Sequence, residues 1–241
     1  MMKRILISLS LIFSFVSANS QDFKFGFGSG IGTYAMKGLK NLNDQVPARL
    51  PFDSKLVSDF PPYFYYSPSI LLGFSKFSIG LIYSFQSTGS RISAKDYSGE
   101  FLFDMRIRSG NPGVYGEYKL SSEGKFDIFL FSLAGPSFTK LEVKDLFTVS
   151  STTLTNESYE FKARNYFIEP GVNFQVPVKT VIFRIDLGYL IQFGKQPLTG
   201  KNKTDMLFDP KEQVPVKCDW NGIRAGLSVL LNLNRKTKKF D

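Results

Sequence analysis

The sequence predicts an all-β fold: a single antiparallel up-and-down β-barrel of eight strands that crosses a membrane. Three observations predict it. Apolar residues alternate with small or polar ones at period two in segment after segment. Short and long connections between these segments alternate along the chain. Past residue 20 no window holds 18 consecutive apolar residues, so a crossing would be made by strands and not by a helix. Composition agrees, because 25 Phe, 11 Tyr and 20 Gly against one Trp suit pleated surfaces better than helices.

The chain opens on an address. Met1-Met2-Lys3-Arg4 is a basic start, residues 5–16 form an apolar stretch, and Ser17-Ala18-Asn19-Ser20 offers small residues for cleavage. This is the pattern of a cleavable secretory signal over residues 1–20, which leaves 21–241 as the barrel domain and implies export. No cysteine follows the site to carry a lipid anchor. Loss of Lys3 and Arg4 takes the formal charge from +9 to +7, so the basic bias belongs to the exported domain. Such a bias favours anionic surfaces. Nothing in the sequence points to nucleic acid.

The strands follow in order. From Phe23 the odd positions are bulky (Phe23, Phe25, Phe27, Ile31) and the even ones nearly bare (Gly26, Gly28, Gly30, Gly32). Residues 77–86, 181–193 and 223–233 alternate as strictly, and weaker runs occupy 65–74, 114–120, 127–138 and 166–176. That makes eight strands, an even number that suits a closed barrel. Three connections are tight and rich in turn formers: 75–76, 122–125 and 177–180. Four are long, at about 37–62, 89–113, 143–164 and 194–219. Strict alternation places all the long ones at one end, as in membrane barrels with short inner turns and longer external loops. The second long connection carries its own alternation at 101–107. It reads as a hairpin projecting beyond the membrane, with two further membrane strands and a ten-stranded barrel as the alternative.

Lipid tolerates no charge that a filled interior can accommodate, so the Phe, Ile and Leu face should point outward. The charges then fall inside: Glu117, Lys119, Glu169, Arg184, Asp186 and Arg224. Three acids and three bases in a narrow lumen are expected to form a structural ion-pair network, because eight strands leave no open pore.

Other chemistry is scarce. With no histidine, His-dependent triads and histidine metal sites are excluded, and one cysteine, Cys218, allows neither an internal disulfide nor a thiolate zinc cluster. No catalytic, cofactor or metal residues are expected. The glycines at 26, 28, 30 and 32 do not fit a phosphate-binding loop, since no helix follows and the spacing fails. They suit a crowded inner wall instead. Tyr63, Phe64, Tyr65 and Tyr66 read as part of an interfacial aromatic girdle.

The first strand's Gln-Asp-Phe-Lys-Phe-Gly-Phe-Gly-Ser-Gly, Glu169-Pro170-Gly171-Val172-Asn173-Phe174, and the final Gly222-Ile223-Arg224-Ala225-Gly226-Leu227-Ser228 together resemble the small outer-membrane β-barrel proteins of Bacteroidota. The resemblance spans the exported chain and implies an outer-membrane location. It departs from the pattern at the end, where the basic tail 234–241 follows Leu233 in place of a terminal aromatic residue.

Function is then expected in the loops. Outer-membrane lipid and lipopolysaccharide are the expected contacts, with a protein partner through loops 37–62 and 194–219. The first of these is unusually apolar, through Leu39, Leu42, Val46, Leu50, Leu56 and Phe60. The second is net basic, with Lys195, Lys201, Lys203, Lys211 and Lys217 against Asp205, Asp209 and Glu212. The leading reading is a non-enzymatic outer-membrane barrel with a structural, accessory or surface role. The alternatives are a secreted lipocalin-like barrel with its apolar face inside, and a lipid-modifying enzyme of the outer membrane.

Overall fold

A computed structural model describes residues 22–47, 54–95, 97, 99–123, 126–150, 152–194, 196–202, 205–209 and 213–233. Residues 1–20, expected to be a cleavable signal, and the basic tail 234–241 therefore lie outside the described residues. The elements are β1 (Asp22–Gly32), α1 (Lys37–Gln45), β2 (Lys55–Asp59), β3 (Tyr63–Gly73), β4 (Phe77–Lys95), β5 (Gly99–Glu123), β6 (Phe126–Val149), β7 (Thr152–Val178), β8 (Val181–Phe193) and β9 (Gly222–Asn232). From β3 to β9 each strand pairs antiparallel with the next, and β1 pairs with both β3 and β9. The ring thus closes on eight strands. β2 stands outside it, paired only with the upper part of β4, where Lys55 faces Ser93.

The segment at 101–107 is the upper half of β5, so the eight-strand reading holds and the ten-strand alternative does not. The stretch 143–164, expected to be a loop, is likewise strand: β6 and β7 run on to Val149 and Thr152.

These long hairpins explain an inversion in the residue pattern. Along β5 the odd positions face inward throughout, yet Phe101, Met105 and Ile107 are apolar while Ser109, Asn111 and Glu117 are polar. Outward, Arg106 and Arg108 give way to Val114, Tyr118 and Leu120. On β7, exposed Glu160, Lys162 and Arg164 give way to Tyr166 and Ile168 in the same manner. The parity does not slip across this change of pattern, since the register shifts lie elsewhere, at Lys119/Ser121 and Phe147/Thr148; the surroundings of the wall change. Above the swap the barrel wall is apolar inside and polar outside, and below it the reverse.

The lower part is the apolar band. Phe183 is 51% exposed, and Ile185, Leu187, Ile223 and Leu231 are exposed beside it. This overturns the soluble lipocalin-like alternative, which needs that face inside. Aromatic rings edge the band above, with Tyr63, Tyr66, Phe85, Phe138, Tyr166 and Phe193, and below, with Phe77, Tyr118, Phe126 and Phe183. β1, β3 and β9 have 11 residues each, enough for a tilted strand to cover the roughly 25 Å of such a band. One member of the expected girdle departs from it: Tyr65 turns into the lumen, because its position on β3 has inward parity.

The glycines of β1 do line a crowded inner wall. A Cβ at Gly30 would overlap the Ala225 carbonyl and come within 2.7 Å of the Tyr65 ring, whereas at Gly116 it would meet nothing within 4 Å. Gly30→Ala is therefore expected to destabilise the barrel by about 1–3 kcal/mol. Gly116→Ala should be close to neutral. Urea titration of the refolded protein compares the two.

Candidate functional site: the lumen and its external mouth

Inward parity on β9, β8, β7 and β5 delivers the lumen charges. Arg224 is fully buried and crosses the barrel: Nη1 donates to Glu169 Oε2 at 2.6 Å, Nη2 donates to Ser84 Oγ at 2.6 Å, and the guanidinium lies 3.7 Å from the Tyr65 ring centre. Arg184 pairs with Asp186 two residues along β8, at 2.9 Å, and faces the Tyr115 ring at 5.3 Å. Ser228 Oγ donates to Asp186 at 2.8 Å.

Glu117 has no lysine partner. Its carboxylate accepts from Tyr115 Oη at 3.0 Å, Asn173 Nδ2 at 3.1 Å and Gln175 Nε2 at 2.9 Å. Lys119 sits apart from this network, half-exposed at the lower mouth, where its Nζ pairs with Asp127 at 2.8 Å. The six charges expected from the sequence thus divide into two buried pairs, a carboxylate held by amides and a phenol, and Lys119 at the mouth, paired with Asp127. The aromatic partners Tyr65 and Tyr115 were missed, since a strand's parity is legible in sequence but its neighbours across the lumen are not.

Above these charges lies a belt of buried amides from Gln86, Asn111, Asn165 and Gln192. Above that the mouth is closed by an apolar plug. The first long loop supplies α1, a nine-residue helix too short to stand alone. It is held by Leu39 and Leu42 packing inward beside Met36 and Phe60, against Met105, Ile107 and Leu141 of the wall. Asn43 Nδ2 donates to Asp59 Oδ1, and its Oδ1 accepts from Ser90, which ties the helix to the rim. The last long loop adds Leu198, Val216, Cys218 and Trp220. Trp220 meets Tyr34 edge-on at 4.9 Å and donates from Nε1 to Thr139 at 3.0 Å. Gln45 Nε2 donates to Asp209, joining the two loops.

Most of the apolar surface expected to be free on the first loop is therefore spent on the plug. Leu39, Leu42 and Phe60 are buried, Val46 is half-buried and Leu56 is exposed, while Leu50 lies outside the described residues. In the last loop Lys195, Lys203, Lys211 and Glu212 also lie outside them.

Cys218 is wholly buried, and desolvation, with the Asp219 carboxylate adding to it, pushes its thiol well above the usual range. A folded-state pKa above the unfolded one makes this group's contribution complete below the ordinary thiol pKa and lost as pH rises beyond it. The thiol is expected to resist a disulfide reagent at pH 8 in the folded barrel and to react at once in denaturant. A colorimetric thiol assay reads this.

Among the described residues no group of three His, Cys, Asp or Glu side chains could hold a metal ion. No protein-family model and no curated protein matches the chain. Solved structures do match. A major outer membrane protein from Thermus thermophilus aligns over 88% of this chain and 99% of its own, at 11% identity and a TM-score of 0.50. The outer membrane protein OprG from Pseudomonas aeruginosa aligns over 90% and 98%, at 11% identity and a TM-score of 0.45. The first likeness is one of fold, and it agrees with the closed ring described above: the chain has the eight-stranded architecture of outer-membrane β-barrels.

Proposed function

We propose that this protein is an outer-membrane barrel with a closed lumen and a structural, accessory or surface-interaction role, neither a channel nor an enzyme. The observation that carries the reading is the inverted residue pattern: an apolar band outside a polar, packed lumen, surmounted by a wall that is wet outside and plugged inside. Two solvents around one wall are what a bilayer and the aqueous space beyond it supply. Export through the signal over residues 1–20 would bring the chain there.

Closure argues against transport. Arg224 with Glu169 and Arg184 with Asp186 occupy the cross-section, and α1 and Trp220 fill the mouth. Engagement of the lumen carboxylates argues against acid–base catalysis. Glu169 is tied to Arg224, Asp186 to Arg184 and Ser228, and Glu117 to three donors. What the barrel presents is its hairpins, β4–β5 and β6–β7, which carry charged outer faces above the band.

Planar-bilayer recording of the refolded protein tests the closed lumen. No current above the bare-lipid baseline is expected at 100 mV. Stepwise single-channel conductance would reject the reading in favour of a pore.

A further inference from the structure

The outer wall carries two concavities one above the other. The upper one, of about 570 Å³, lies where the chain crosses from β2 to β3 and stands off the outer face of β4 and β5. Arg91, Arg106 and Arg108 line it. Their positions follow from register: Arg108 and Arg106 stand opposite Ser87 and Gly89, whose small outward side chains leave the cleft open. Asp104 is the carboxylate that shares the cleft, and it pairs with Arg91 at 2.9 Å. Arg108 reaches Glu142 only at 3.4 Å, long for a charge-assisted hydrogen bond. Arg106 is exposed and makes no ion pair among the described residues. Three guanidinium groups against two carboxylates, Asp104 within the cleft and Glu142 at its edge, leave the cleft with a net positive charge carried by Arg106.

The lower lip of the cleft is aromatic, formed by Tyr63 and Phe85 of the upper ring. Phe85 is two residues below Ser87, about 7 Å down the strand. Beneath it, on the same strands, begins a groove of about 690 Å³ in the apolar band, lined by Pro68, Ile70, Leu81, Tyr83, Pro112 and Val114. The groove has a cause in sequence. Prolines cannot donate to a ladder, and the pairing is interrupted there, on β3–β4 between Tyr66 and Ser69 and on β5–β6 between Gly110 and Val114. Compact prolines at these interruptions leave the wall recessed between taller neighbours.

From this stacking we infer that the outer wall of β3–β5 is a docking site for a membrane lipid with a phosphorylated head group. The head-group phosphate sits among Arg91, Arg106 and Arg108, and the acyl chains lie in the proline-lined groove. Charge complementarity selects the phosphate. The apolar groove directly below selects a ligand that carries hydrocarbon, which inorganic phosphate does not. The inference rests on the proposed placement of the apolar band in a membrane.

The full chain, purified in a nonionic detergent, is titrated by native mass spectrometry with lipid A, with enzymatically dephosphorylated lipid A, and with inorganic phosphate. Retention of lipid A is expected, weakened at least about tenfold by removal of its phosphates and by the double variant R106Q/R108Q. Ala134→Trp, which fills the groove, should weaken it to a similar extent without touching a charge. Inorganic phosphate should bind far more weakly than the lipid. Equal binding of the two lipids, no effect of R106Q/R108Q, or phosphate binding as tight as lipid A would each overturn the assignment. Unboiled and boiled gel mobility of each sample reports separately whether the protein is a folded membrane barrel, so failure of the site and failure of the membrane reading are distinguishable.

Discussion

Arg224→Met is expected to lower the folding free energy by about 3–5 kcal/mol, the effect of leaving a buried carboxylate without its counter-charge. From β9, Arg224 touches β3, β4 and β7, through Tyr65, Ser84 and Glu169. Its loss strands Glu169 among Tyr65, Phe131 and Leu133, all turned to the same interior. The double variant Arg224→Met with Glu169→Leu should recover most of the deficit, since a buried ion pair and a well-packed apolar pair of similar volume differ little in net free energy. Urea unfolding in lipid vesicles measures both, with the emission of Trp220, the only tryptophan of the chain, as the probe. Equal losses in the single and double variants would mean that Arg224 acts by filling space and not by neutralising Glu169.

The second large effect lies on the opposite face. Leu227, midway along β9, is 67% exposed. In water, Leu227→Arg would be harmless or mildly favourable. In lipid it should cost about 2–4 kcal/mol, because arginine near the bilayer midplane loses its hydration. Thr153→Arg, on the exposed upper part of β7, supplies the contrast and should change stability by less than about 0.5 kcal/mol. The difference between the two substitutions measures the change of surroundings along the wall.

The lower half of the barrel, with its apolar band, was legible because it is repetitive physics. Phe183 to Phe193 and Ile223 to Leu231 alternate without a break, so strand, face and inward charge follow from parity alone. The upper half was harder. At 143–164 outward Lys144 and Lys162 combine with half-polar inward positions, and without an apolar outer stripe the strands read as a loop. α1 was missed for a related reason. Its Leu39 and Leu42 are two apolar residues in a nine-residue helix with a glycine, a signal too short to distinguish from loop, and its stability comes from Met105, Ile107 and Leu141, far off in sequence. Lumen partners such as Tyr115 with Arg184 depend on which strands face each other across a closed ring, and closure is not encoded locally.

Electrophoretic heat-modifiability of the protein from fractionated cells tests most directly whether the apolar band faces lipid. The expected result is recovery in the detergent-extracted membrane fraction, with the unboiled protein migrating ahead of the boiled one, as an intact barrel does. Recovery in the aqueous fraction, with identical mobility before and after boiling, would contradict it.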